Sequence, residues 1–175
     1  WMGIRGFDGS GWILSEGAPG GVGYEHNTGY EDYLAVDLDR IMYGVNGSCY
    51  IRIPFSFSGD RDALEQLTLK MQYDDGFIAY LNGTEVARRN FEGTPAWNST
   101  ATASHGDIDA IVFEPIDISD SLLKLRSGAN VLAIQGLNSS VTSSDLLISA
   151  ELSATRQAAV TAPTGALRHT VPISL

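Results

Sequence analysis

The chain has 175 residues, 43% of them hydrophobic and only 18% charged, with a mean hydropathy of −0.02. That is enough apolar material for one cored domain and the wrong balance for a disordered chain or a coiled coil. Twenty-one Asp and Glu against 11 Lys and Arg give a formal charge of −10. No basic cluster exists beyond Arg88-Arg89, so nucleic acid and anionic membranes are not expected partners, because phosphate binding needs positive charge.

Residues 1–33 carry Trp1, Phe7, Trp12, Tyr24, Tyr30 and Tyr33 among many glycines. The chain begins at Trp1 rather than Met, as expected of a processed product or a fragment. Gly17 to Gly23 reads as a loop and matches neither glycine-rich phosphate motif. Residues 49–57 alternate with apolar side chains at odd positions, which predicts a strand with Cys49 as a small hydrophobe of its core face. As the only cysteine, Cys49 has no intrachain disulfide partner.

Leu67, Leu69, Met71 and Tyr73 share one face of the next strand. Asp74-Asp75-Gly76 breaks it, and 77–81 follows as an extended run. Asn82-Gly83 then marks a two-residue hairpin, because both central positions of a type I′ turn need positive φ. Residues 84–89 return as a strand. Further strands are expected at 111–113, 115–118, 131–137 and 146–152, the third of these apolar on both faces. A short helix is expected over 120–126, capped by Ser119 and ended by Gly128. No apolar run approaches the ~18 residues that span a membrane. Many short strands and little helix predict an all-β antiparallel sandwich over 1–152. Residues 153–175, rich in Ala, Thr, Pro and Val, are expected to form an extended tail or linker.

Several stretches carry a family resemblance: 20–25 (GGVGYE), 48–53 (SCYIRI), 73–88 (YDDGFIAYLNGTEVAR), 130–138 (NVLAIQGLN) and 143–148 (SSDLLI). Together they resemble the galactose-binding-like jelly-roll modules of large secreted proteins of planctomycete-type bacteria, which often stand beside lamin-tail or CotH-like domains. The segment 73–88 is also similar to pieces of glycosidase sugar-binding domains and PA14 modules. Where the family often has His, this chain has Gln135. The resemblance implies a galactose-binding-like jelly roll with a non-catalytic accessory role and names no ligand.

Asp74 and Asp75 are candidate calcium ligands, since two adjacent carboxylates can aim hard oxygens at one cation. The same residues suit a hairpin turn, in which Asp favours the turn and Gly supplies positive φ. The resemblance implies a second calcium position between an early loop and the last strand, which falls on Asp8 and Glu151. Asp107 and Asp109 read as a solvated loop. Trp12, Tyr24, Tyr80 and Trp97 are candidate sugar platforms, because a flat aromatic face stacks on the apolar face of a pyranose; the competing role for each is core packing. Four sequons occur, at Asn46, Asn82, Asn98 and Asn138. His26, His105 and His169 fall in no hydrolase signature, so no enzyme activity is expected.

Two functions compete at this point. One is a secreted carbohydrate-binding or adhesion module that recognises a glycan or cell-surface polysaccharide, with Ca²⁺ as a possible cofactor. The other is a structural subunit of a secreted fibre, sheath or surface layer, in which 154–175 joins identical subunits by adding the strand-like segment 167–175 to a neighbour's sheet edge.

Overall fold

The computed structural model describes residues 1–3, 5–15, 20–27, 29–157 and 168–172. Two sheets face each other. The larger contains β1 (Gly21–Glu25), β2 (Leu34–Asp37), β4 (Leu64–Asp74), β7 (Glu114–Asp117), β9 (Asp145–Gln157) and β10 (Arg168–Pro172). Its order is β2-β1-β9-β4-β7, and β10 also pairs with β9. The smaller has the order β3-β8-β5-β6, from β3 (Ser48–Phe57), β8 (Gly128–Leu137), β5 (Gly76–Leu81) and β6 (Thr84–Arg89). All pairings are antiparallel except β1 with β2. The fold is the expected all-β jelly-roll sandwich. Among the described residues, the α-helical pieces are single turns, α1 (Asp39–Met42) and α2 (Asp107–Ala110).

Alternation builds the core. Leu67, Leu69, Met71 and Tyr73 of β4 meet Phe77, Ala79 and Leu81 of β5, and Leu132 and Ile134 of β8. The outer faces are also covered. Ile78, Tyr80, Ala133 and Leu137 lie under Trp1, Met2 and Phe91. On the other sheet, Leu147 lies under Tyr30 and Ala110. This is why β5 and β8 are apolar on both faces. The Asn82-Gly83 turn forms as expected, with φ of 52° and 90°.

Several expectations need correction. Gly21 to Gly23 belong to strand β1, not to a loop. A Cβ on Gly23 would lie 1.8 Å from the Leu146 carbonyl oxygen, so only glycine lets the two backbones approach. Residues 17–19 of the expected loop lie outside the described residues. Residues 111–113 follow α2 and form no strand. The helix near 120 is a 3₁₀ turn over Ser119–Lys124; Ser119 does not cap it, because its hydroxyl serves Asp117 and the Leu67 amide.

Strand β9 continues past 152 to Gln157. Residues 168–172 pair back onto it, from Arg168 opposite Gln157 to Pro172 opposite Ser153. The segment expected to join a neighbour's sheet therefore completes its own, and the observation behind assembly through it falls away. Residues 158–167 and 173–175 of that expectation lie outside the described residues.

Strand β3 is an edge: among the described residues it pairs only with β8. Pro54 sits within it, opposite Val131. The Val131 N–H and C=O both turn toward Asn82, on the β5 side of β8. The Pro54–Val131 pair is thus a non-hydrogen-bonded one, and the Pro54 nitrogen faces away from the sheet.

Candidate functional site

A groove of about 1320 Å³ opens beside β3. The core-facing side chains of β3, Cys49, Ile51 and Ile53, are only half-buried there, and Val22 and Val36 of β1 and β2 complete its apolar floor. Trp12 and Trp97, proposed from sequence as sugar platforms, both line this groove.

Each tryptophan is positioned by identifiable contacts. The Arg52 guanidinium lies 3.7 Å from the Phe7 ring centroid, and Phe7 meets Trp12 edge to face at 5.0 Å. Arg52 also donates to the carbonyls of Trp1 and Gly3, which ties the N-terminal segment to β3. The Trp97 carbonyl accepts from the Ser48 hydroxyl at 2.7 Å, and the Ala96 carbonyl accepts from the Gln135 amide at 2.8 Å. With its backbone held and its residue 69% exposed, Trp97 presents its ring to solvent. Asn46, Ser48, Tyr50, Arg52 and Ser149 add polar groups to the lining, and no carboxylate lines it among the described residues.

Tyr24 and Tyr80 are not platforms. Tyr24 is 1% exposed; its hydroxyl donates to the Ser143 carbonyl and accepts from Asn138, and burial pushes it up to about 12. Tyr80 is buried in the outer cluster beneath Trp1. Both rings are buried, so neither is free to stack on a ligand.

Asp74 and Asp75, joined by a cis peptide bond, occupy a polar centre on the outer face of the larger sheet. Asp74 is 2% exposed, its Oδ2 accepts from the Tyr30 hydroxyl at 2.6 Å, and its Oδ1 is buried without a hydrogen-bond partner. Burial pushes the Asp74 carboxyl up to about 8; the nearby charges of Asp75 and Asp145 add to this, while Tyr30 pulls the other way. Asp75 differs. Its Oδ1 accepts from the His105 amide and its Oδ2 from the Ser139 amide, so both oxygens serve loop backbones.

The sequence-derived pair is therefore not a chelate. The carboxylates that do gather are those of Asp74, Asp107 and Asp145, whose oxygens lie within 4.8 Å of one another. Sequence reading missed Asp107 and Asp145, because the three meet only when β4, α2 and β9 are assembled.

Asp8 is exposed and accepts from the Ser10 amide and hydroxyl, a local turn. Glu151 is exposed on β9 and pairs with Lys70 at 3.1 Å. Neither belongs to the acidic cluster. Among the sequons, Asn138 is 0% exposed and donates to Tyr24 and the Asp145 carbonyl, so its amide is inaccessible. The Asn82 amide is held by Lys124 and Asn130, and that of Asn46 by Ile41. Asn98 is exposed beside Trp97. A His26 ring nitrogen pairs with Asp39 at 2.5 Å, and His105 stacks on Tyr73 with its Nδ1 2.7 Å from the Tyr73 carbonyl. No helix among the described residues is long and apolar enough to cross a membrane.

No protein-family model and no curated protein matches the chain. Solved structures similar to it include an α-L-rhamnosidase of Streptomyces avermitilis, 18% identical over 71% of this chain and 10% of that one, with a TM-score of 0.41. A calcium-binding mutant of Bacteroides uniformis β-glucuronidase 2 is 12% identical over 97% of this chain and 24% of that one, at 0.43. A glycosyl hydrolase family 2 member of Bacteroides cellulosilyticus is 13% identical over 89% and 22%, at 0.41. The chain spans between a tenth and a quarter of these proteins' lengths.

Proposed function

We propose that the protein is a non-catalytic, extracellular carbohydrate-binding module whose ligand lies along the groove beside β3. The supporting observation is that Trp12 and Trp97, remote in sequence, line one groove together with polar side chains. The groove exceeds the roughly 300–1,000 Å³ typical of small-molecule pockets, which suits an extended ligand such as a polysaccharide segment. Trp12 and Trp97 act as stacking platforms, with Asn46, Tyr50 and Arg52 as hydrogen-bonding groups beside them.

Affinity-gel electrophoresis against a polysaccharide panel tests this. Some polysaccharide should retard the wild-type chain. Trp97→Ala and Trp12→Ala should each weaken that binding about 3- to 10-fold, a stacking contribution of about 1 kcal/mol. Melting of the Trp97→Ala variant should be unchanged, because the side chain is exposed. A flat response to every polysaccharide, or full binding by the double variant, refutes the reading.

A further inference from the structure

The acidic cluster lies outside the groove lining and calls for a separate account. We propose that Asp74, Asp107 and Asp145 together bind one Ca²⁺ ion on the outer face of the larger sheet.

Three observations carry this. First, spacing: the three carboxylates offer oxygens within 4.8 Å of one another. Two oxygens bound to one Ca²⁺ at about 2.3–2.6 Å each can stand at most about 5 Å apart. Second, an orphan: Asp74, turned into this space, has a buried Oδ1 that meets no donor, a costly state for a carboxylate oxygen unless something positive faces it. Third, charge: among the described residues no Lys, Arg or His forms an ion pair with any of the three. Glu25 and Asp75 add to the negative field at Asp145.

The surroundings suit a cation. The Tyr30 hydroxyl holds Asp74 Oδ2, and Ser144 donates to Asp145 Oδ2, which fixes two ligand carboxylates from outside. Asp75 binds the backbone amides of His105 and Ser139 and so anchors the segment that leads into α2. Asp107 is exposed and leaves the site a mouth through which water can complete a flexible coordination shell. The rival way to relieve the repulsion is a proton shared between Asp74 and its neighbour Asp75, favoured by the burial of Asp74 and by the nearby Asp75 charge.

The test uses the full chain, stripped with chelator. Tb³⁺ should bind with luminescence sensitised through Tyr30, Ca²⁺ should displace it, and Ca²⁺ should raise the melting midpoint. Asp107→Asn, at an exposed position that need not disturb folding, should abolish both signals, and Asp145→Asn should do the same. Tyr30→Trp, which keeps a sensitiser but loses the hydroxyl, should weaken Ca²⁺ binding by about tenfold. No Ca²⁺-dependent change in the wild type, or an equal response in Asp107→Asn, overturns the proposal and assigns the cluster to the shared proton.

Discussion

Replacing Tyr30 by Phe deletes one oxygen atom from a residue with no exposed surface. That oxygen donates at 2.6 Å to Asp74, whose other carboxyl oxygen already lacks a partner. The variant therefore leaves both oxygens of a buried carboxyl without a donor. Measured above the value of about 8 to which burial pushes Asp74, the acceptor is a carboxylate; a hydrogen bond to a charged group contributes about 1.5–3 kcal/mol, and an unsatisfied buried acceptor costs a similar amount. The expected loss is about 2 kcal/mol, which for a domain of this size lowers the melting midpoint by about 4–8 °C. Calorimetry and urea titration in chelator isolate the effect from any bound metal. The same substitution in an Asp74→Asn background should cost only about 1 kcal/mol, because the acceptor is then neutral, and the difference measures the coupling. A loss below about 0.5 kcal/mol in the wild-type background would refute the claim that this bond satisfies a buried carboxyl.

Gly23→Ala should abolish cooperative folding, because the new Cβ would sit 1.8 Å from a backbone oxygen that no rotamer change can move; a wild-type melting curve would overturn the β1–β9 register. Burial pushes the Glu114 carboxyl up, but hydrogen bonds from Arg89 and Tyr73 hold it net below its ordinary value near 4.5. Glu114 therefore stabilises the fold above that value and loses its contribution as pH falls through the lowered one. Glu114→Gln should be less stable than wild type at pH 7, and the two melting curves should converge in acid. Expressed in a host that glycosylates sequons, the folded chain should carry glycan at Asn98 and none at Asn138, as read by peptide mass spectrometry.

Strands β3, β4 and β5 were legible because their side chains alternate and the hairpin after β5 has an obligatory Asn-Gly. Strand β1 was not, since its glycines have no side chain to show a period; what they supply is room for Leu146 and Tyr33 backbone oxygens. The short turn α2 was hidden because its helical run, Asp107–Ala110, is one turn long, too short to show a helical period. The aromatic candidates divided for a physical reason. Tyr80 lies in a run apolar at every position, 77–81, which is itself the signature of a strand buried on both faces. Trp97 lies in a Pro- and Asn-bearing loop, and there the ring stays outside. Asp74 stood out beside Asp75, yet its spatial partners come from positions 107 and 145, and no local spacing rule connects those three.

The proline within β3 has a consequence for how molecules meet. A foreign strand approaching that margin would seek a continuous row of amide protons and find one missing near the middle, at Pro54. Copies of this sandwich are thereby discouraged from fusing side by side into a ribbon, and the margin that flanks the groove is left for a visitor that recognises side chains rather than backbone.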